Sequence, residues 1–306
     1  MALLYYTHED CLQHEMQDGH PERPDRLRAV WQYLQASGLL DDLDQRTAAE
    51  IDPARLTEVH GGEYLDGLID MQPEEGLVAV DPDTTMCPES LHAARLAAGA
   101  VVAATSEVLS GSAMRAFCAV RPPGHHAEAD AAMGFCFYNS IALGARRALE
   151  ADQIERVAVL DFDVHHGNGT VDIFKDSPEV LVCSSFQHPY YPHRYADIDR
   201  PNIVNSPLAA GSGSSEFRQV IEQDWLPALE AHQPQLIFIS AGFDAHRDDP
   251  LAQINLSEAD FAWITRLICS AAESYADGRI VSALEGGYDL NALARSVHTH
   301  LEALQA

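Results

Sequence analysis

Short apolar runs alternate with longer helical patterns along this chain. The runs are apolar at successive positions, a pattern typical of parallel strands that are covered by helices on both faces. The five predicted strands span residues 116–120, 157–160, 180–183, 236–240 and 279–284. The sequence therefore predicts the α/β class, with an open, largely parallel sheet flanked by helices on both faces.

Five helical patterns separate or flank these runs. The predicted helices span residues 23–40, 90–109, 142–151, 216–231 and 257–275. The last helix has Ser257 as its N-cap, with Asp260 three residues further on. The sequence shows no repeats or long linkers, and its longest loop-like stretch covers residues 185–215. We therefore expect residues 1–306 to form a single domain.

Polar side chains follow four of the five predicted strands. The residues in question, in chain order, are His125, His126, Asp161, Asp163, His165, Asp244 and Tyr288. In a parallel α/β sheet, ligands bind beyond the carboxyl ends of the strands. Four polar groups at four such ends are therefore expected to lie along one rim and to form one site.

Three of these side chains suit a divalent metal. Asp161, Asp163 and His165 are spaced two residues apart, so their side chains point to one common side of the chain at the place where the strand ends. Asp163, His165 and Asp244 would supply three ligands and leave one position for water, as a catalytic zinc site requires. A lone aspartate is more often a turn or capping residue, but several charged groups at a buried strand end need a counter-charge. The same residue types would also suit Fe(II) or Mn(II).

The adjacent His125 and His126 follow a stiff turn that contains two prolines. A neutral imidazole can take a proton from water, and a protonated one can give a proton to a leaving amine. We expect Asp161 and Asn168 to support the two rings and to give them different basicities. Tyr288 follows two glycines, and its phenol could donate a hydrogen bond to an oxyanion.

Composition bounds the partners and the compartment. Apolar residues make up 46% of the 306 residues, enough for a globular core. The formal net charge is −28, which repels nucleic acid and favours cationic ligands, although acids spread along the chain also serve solubility. The six cysteines form no C-x-x-C pair, which favours reduced thiols in a cytoplasmic compartment. No apolar stretch is expected to reach the roughly 20 residues of a membrane helix.

Six short segments, spread over nearly the whole chain, form a combination that is typical of one protein family. They are GHPERPDRL from Gly19, RPPGHHAE after Val120, GFCFYNS, DFDVHHGNGT, SAGFDAHRDDPL and LEGGYDL. This combination resembles the zinc-dependent histone deacetylase superfamily, especially its class II-like and bacterial members. The resemblance implies an arginase-like α/β fold and hydrolysis of an acylated, lysine-like amine in a peptide, a protein or a small molecule.

The resemblance also implies a role for each site residue. Zinc would be held by Asp163, His165 and Asp244. His125 and His126 would be the catalytic pair, with Asp161 and Asn168 behind them. Tyr288 would polarise the acetyl carbonyl.

The resemblance further implies a substrate tunnel and potassium ions. Phe135 would form one wall of the tunnel and Tyr191 the other, although the family usually has Phe at the second position. Gly134 would offer its carbonyl to the substrate amide. One structural potassium would be bound by carbonyls around Asp161, Asp163 and His165 with the Ser184 hydroxyl. A second would lie near Phe174.

Two positions vary within the family, and several alternatives remain open. Asn168 stands where class I-like members have Asp, and Leu251 stands where polyamine-selective members have a Glu gatekeeper. The alternatives are an acetylpolyamine, small acylated-amine or ester hydrolase, a dinuclear manganese hydrolase of the arginase type, and a non-catalytic acyl-amine binder. The sequence leaves homo-oligomerisation open and predicts no membrane partner.

Overall fold

The computed structural model describes residues 2–306, and a parallel β-sheet forms its centre. The strands are β1 Leu4–Thr7, β2 Asp44–Thr47, β3 Val78–Ala79, β4 Thr85–Met86, β5 Arg115–Cys118, β6 Val157–Asp161, β7 Val180–Gln187, β8 Ile203–Leu208, β9 Leu236–Ala241 and β10 Ile280–Leu284. Eight of them pair in the order β2-β1-β5-β10-β9-β6-β7-β8, and every pair is parallel. Strands β3 and β4 form a separate antiparallel pair.

Ten α-helices accompany the strands in the described part of the chain. They are α1 Asp25–Ser37, α2 Pro53–Leu56, α3 Gly62–Met71, α4 Ser90–Ser110, α5 Ser140–Leu149, α6 Asn168–Phe174, α7 Ser214–Val220, α8 Leu226–His232, α9 Glu258–Tyr275 and α10 Leu290–Gln305. A π-helical turn, Ile221–Trp225, joins α7 to α8. Ser257 and Asp260 form the predicted capping box at the start of α9.

Contacts from two neighbouring strands show that helices cover both faces of the sheet. Ser282 of β10 lies 3.0 Å from the His300 ring of α10. Its partner across β9 is Ile239, so the adjacent Phe238 points to the opposite face. There a Cβ on Gly144 of α5 would lie 2.9 Å from the Phe238 ring, which shows how closely that helix packs. The predicted fold class is confirmed.

The prediction of a loop over residues 185–215 is wrong at its start and again at residues 203–208. Strand β7 continues to Gln187, and β8 occupies Ile203–Leu208 at one edge of the sheet. Pro207, which has no backbone N–H to donate, is tolerated because an edge strand has one unpaired side. The short strands β1 and β2 and the helices α3, α6 and α10 were also not predicted.

The expectation that no apolar stretch would reach the length of a membrane helix is also wrong. Helix α4 has 21 residues and is long and apolar enough by length and composition alone. However, it packs against α5 and against strands β1, β5 and β10, and most of it is buried. These contacts are those of a core helix.

All six cysteines are buried and free, in agreement with the expected thiols.

The sheet order brings the predicted site together. The four strands that carry the polar residues, β5, β10, β9 and β6, are consecutive neighbours at the centre of the sheet. Because they are parallel, their carboxyl ends open on the same edge. This edge is the rim that the sequence predicted.

Candidate metal centre and active site

Asp163, His165 and Asp244 meet just beyond β6 and β9. One ligand atom from each lies within 4.8 Å of the others, and all three residues are buried. His165 Nδ1 lies 3.0 Å from Asp163 Oδ1 and 3.1 Å from Asp244 Oδ2. The ring nitrogen and the two carboxylates therefore face one common point.

Backbone donors hold the two carboxylates but leave one oxygen unused. Asp163 Oδ2 accepts from the Gly286 N–H at 2.8 Å, and Asp244 Oδ1 accepts from the Val164 N–H at 2.9 Å. Asp244 Oδ2 is buried without a hydrogen bond of acceptable geometry. Burial and the nearby Asp163 charge raise the pKa of Asp244 to about 7. Two buried carboxylates beside an imidazole, with one orphaned oxygen, fit a bound divalent cation.

The first histidine of the pair is supported by a carboxylate. His125 Nδ1 lies 2.9 Å from Asp161 Oδ2, and Asp161 Oδ1 accepts from the Asp163 N–H at 3.1 Å. Burial alone would lower the pKa of His125, but Asp161 and Asp163 outweigh that effect and raise it to about 10. His125 is therefore expected to carry a proton.

The second histidine is supported by a neutral amide. His126 Nδ1 lies 2.6 Å from Asn168 Oδ1, and the rings of His125 and His126 are 4.0 Å apart between centroids. Burial, followed by the charges of His125 and His165, lowers the pKa of His126 well below its usual value. Because an amide oxygen can only accept, the neutral His126 ring donates through Nδ1 and leaves the Nε2 lone pair free.

Tyr288 is buried beyond the end of β10, and its hydroxyl has no hydrogen-bond partner among residues 2–306. Its N–H donates to Asp249 Oδ2 at 2.6 Å, which fixes the backbone. The Arg26 guanidinium lies over the Tyr288 ring, 5.0 Å from the ring centroid. The centroids of the Tyr288 and Phe135 rings are 6.0 Å apart. Burial raises the pKa of Tyr288 well above its usual value, so the phenol stays protonated and can donate.

Two aromatic residues flank this centre. Phe135 packs against Tyr288, and Tyr191 packs against His126 at 5.2 Å and against His165 at 6.0 Å. Phe135 therefore lies beside Tyr288 and Tyr191 beside His126, and their role as the two walls of a substrate tunnel stays a prediction.

Gly134 can only be glycine in this arrangement. It has φ +58, and an added Cβ would lie 2.2 Å from the His126 ring. Its N–H donates to Asp83 Oδ1 at 2.9 Å, while its carbonyl accepts from the Cys136 thiol at 3.2 Å. Gly134 is thus packed against His126, and the carbonyl predicted to meet the substrate amide is shared with a thiol.

Two buried charged residues that the sequence analysis did not assign also support the site. Glu285 Oε2 accepts from the N–H groups of Gly124 and His125, at 2.7 and 3.1 Å. Arg26 donates to the carbonyls of Glu285 and Gly287. Glu285 lies in LEGGYDL and Arg26 in GHPERPDRL, two of the segments that carry the family resemblance. The presence of a charged residue in such a segment could have indicated a role in the site.

The predicted potassium ligands differ in how well they fit an ion. The carbonyls of Asp163 and His165 accept no hydrogen bond within residues 2–306, whereas those of Val164 and His166 each accept one. Two free carbonyls suit a cation. Ser184, whose hydroxyl is 3.4 Å from the Gly167 nitrogen, is the strand partner of Asp161. In contrast, the Phe174 carbonyl is already bound to the Asn202 side chain at 2.8 Å, which does not fit a second ion.

Comparison with known proteins gives one consistent family. The profile of the histone deacetylase domain matches residues 20–304. The histone deacetylase-like amidohydrolase of Pseudomonas aeruginosa is 40% identical over 88% of this chain and 73% of its own length. Type-2 histone deacetylase 2 of Dictyostelium discoideum is 36% identical over 97% of this chain, which spans only 20% of that protein. The crystal structure of the HDA15 HD domain superposes with a TM-score of 0.93 at 33% identity, covering 99% of this chain and 88% of that one.

Proposed function

Because the chain belongs to the histone deacetylase family, we propose that it is a zinc-dependent hydrolase that removes acetyl groups from lysine-like amines. The observation that carries the proposal is the convergence of Asp163, His165 and Asp244 on one point beside the His125–His126 pair. A metal site next to a base and a hydrogen-bond donor is the arrangement that metal-assisted hydrolysis needs.

Asp163, His165 and Asp244 would hold the zinc ion. When bound, zinc acts as a Lewis acid that lowers the pKa of water and polarises the acyl oxygen. A mononuclear site is favoured over a dinuclear manganese site, since residues 2–306 contain one cluster of this kind.

His126 would act first as a base and then as an acid. Its Nε2 lone pair is free because Nδ1–H is directed at Asn168, so Nε2 can take a proton from the attacking water. The same nitrogen then gives that proton to the departing amine. His125, charged and held by Asp161, would remain protonated and stabilise negative charge in the site.

Tyr288 would donate its hydroxyl hydrogen to the acyl oxygen as negative charge develops there. Its hydroxyl is neutral and has no partner among the described residues, so no internal hydrogen bond must break first. The walls formed by Phe135 and Tyr191 suit a long aliphatic side chain that ends in the acyl group.

The test is a substrate panel on enzyme loaded with a single metal. We expect acetyl-lysine peptides to be hydrolysed with zinc, and the Asp163→Asn variant to lose turnover together with zinc. The exposed Asp176→Asn is the matched control, because Asp176 only pairs with Arg200 at the surface. Faster turnover of acetylputrescine or acetylspermidine would assign a polyamine substrate instead. Tight binding of acetyl-lysine without turnover would refute the hydrolase.

A further inference from the structure

A buried carboxylate lies directly behind the amide that supports His126. Glu128 is 6% exposed, and its Oε1 accepts from Asn168 Nδ2 at 2.8 Å. Its Oε2 accepts from Arg194 Nη1 at 2.6 Å, and the Arg194 side chain is about half exposed. A continuous chain of hydrogen bonds therefore runs from the His126 ring through Asn168 and Glu128 to the surface.

The Asn168 amide nitrogen meets three acceptors, the Glu128 carboxylate at 2.8 Å, the His126 carbonyl at 3.3 Å and the Met133 sulfur at 3.2 Å, and Glu128 is the nearest and the only charged one. In the observed orientation Nδ2 meets the carboxylate and Oδ1 meets His126 Nδ1. The flipped amide would set Oδ1 against the Glu128 carboxylate and would present N–H to His126 Nδ1. That imidazole would then carry its proton on Nε2 and could not act as a base there.

We propose that Glu128, held by Arg194, is a positioning residue that locks His126 in the tautomer with a free Nε2. The inference rests on the proposed hydrolase function, because it assigns to Glu128 a role in that reaction. A carboxylate at this position adds a charged acceptor to the His126 carbonyl, and it matters because the support of His126 is an amide with two different ends. A carboxylate in place of Asn168 would accept equally well in either orientation.

This asymmetry supplies the test. Glu128→Leu should lower kcat by about 10–100-fold, the usual effect of losing a partner behind a metal-site residue, with little change in KM and in zinc content. Glu128→Gln should lose less, because it keeps an acceptor for Asn168. In the background of Asn168→Asp, Glu128→Leu should raise kcat or leave it the same, since it removes a facing carboxylate. A merely structural Glu128 would give the same loss in both backgrounds.

Two more measurements separate the possible failures. Nitrogen NMR of labelled histidine should show His126 moving toward the Nε2–H tautomer in Glu128→Leu, whatever the activity. Arg194→Gln should show a smaller kcat loss than Glu128→Leu. Arg200→Gln, on the same loop as Arg194, breaks a surface ion pair with Asp176 and should show no kcat loss. An unchanged tautomer and kcat in Glu128→Leu would overturn the inference. An inactive wild-type enzyme with the predicted tautomers would overturn only the proposed function.

A second cluster carries an independent inference, which does not rest on the proposed function. Asn202 is 6% exposed, and its Nδ2 lies 2.8 Å from the Phe174 carbonyl oxygen, 3.0 Å from that of Ser177 and 3.0 Å from that of Val180. Three carbonyls around one point form the kind of cage that binds potassium. Here the amide NH2 group, whose hydrogens carry partial positive charge, fills that point.

We infer that Asn202 replaces the second potassium ion that resemblance to the family implied near Phe174. Equilibrium dialysis with Rb⁺ should therefore give one ion per wild-type chain, and two would overturn the inference. Asn202→Ala should gain a site, so its melting temperature should rise more steeply than the wild type's when K⁺ replaces choline at constant ionic strength. Asn205→Ala, which also frees two carbonyls, is the control and should keep the wild-type response.

Discussion

Replacing Tyr288 by Phe isolates the proposed hydrogen bond to the acyl oxygen. The substitution removes one oxygen atom and leaves the ring, which keeps its contacts with Arg26 and Phe135. The hydroxyl has no partner within residues 2–306, so no internal hydrogen bond is lost. We therefore expect the free energy of unfolding to change by no more than about 0.5 kcal/mol.

Activity should respond far more strongly than stability. Removing one donor to a developing oxyanion costs about 2.7–4 kcal/mol, which corresponds to a 10²–10³-fold loss in kcat. The loss should fall mainly on kcat, because the bond strengthens as charge develops on the oxygen. Steady-state hydrolysis of an acetyl-lysine peptide, with urea unfolding on the same samples, measures both quantities.

Tyr64→Phe is the matched control, because it also removes a tyrosine hydroxyl, one that donates to the Phe137 carbonyl at 2.6 Å. It should lose about 1 kcal/mol of stability and little activity. Loss of an oxyanion donor should cost at least about 10²-fold in kcat. If Tyr288→Phe instead keeps kcat within about threefold of the wild type, the oxyanion role is refuted. A comparable loss of stability in both variants would show that the Tyr288 hydroxyl has an internal partner.

Three further predictions follow from other contacts. Asp244→Asn should bind zinc more weakly and lose activity, since it removes one ligand charge, and metal analysis after dialysis would show it. Gly134→Ala should lower kcat, because the added Cβ would lie 2.2 Å from the His126 ring and would displace that ring. Excess zinc should not restore kcat. Glu22→Gln should destabilise the fold by about 3–5 kcal/mol at neutral pH, as urea unfolding would measure, because it strands the buried Arg121. Burial alone would raise the pKa of Glu22, but Arg121 and His14 outweigh burial and hold that pKa well below 4.5. The ionised Glu22 therefore stabilises the wild type fully above about pH 4.5, and this stabilisation declines as the pH falls below that value. The Glu22→Gln variant should lack this loss of stability in acid.

The sequence was most informative where polar residues interrupted apolar runs. Asp163 and His165 directly follow a strand that is apolar on both faces, so their position on the rim could be inferred from the local pattern. Asp244 and Tyr288 could be added because parallel strands open on the same edge. The metal cluster therefore depended on one local pattern and one rule of topology.

Residues that act through distant contacts could not be inferred in this way. Glu128 meets Asn168 across 40 positions, and Glu285 meets Gly124 across 161. Neither contact leaves a trace in the periodicity of the chain. Strand β2 is short and mostly exposed, so it lacked the apolar signal of the central strands. Helix α10 did carry a helical spacing, with Leu293, Val297 and Leu301 buried, and it could have been predicted.

The two edges of the sheet bear on self-association. Strand β2 presents Asp44, Gln45, Arg46 and Thr47, which are largely exposed, and β8 carries Pro207. Charged side chains and proline discourage the pairing of one sheet edge with another. A dimer of this chain is therefore expected to use helix or loop surfaces, and the folded sheet is protected at both edges from pairing with strands of other copies.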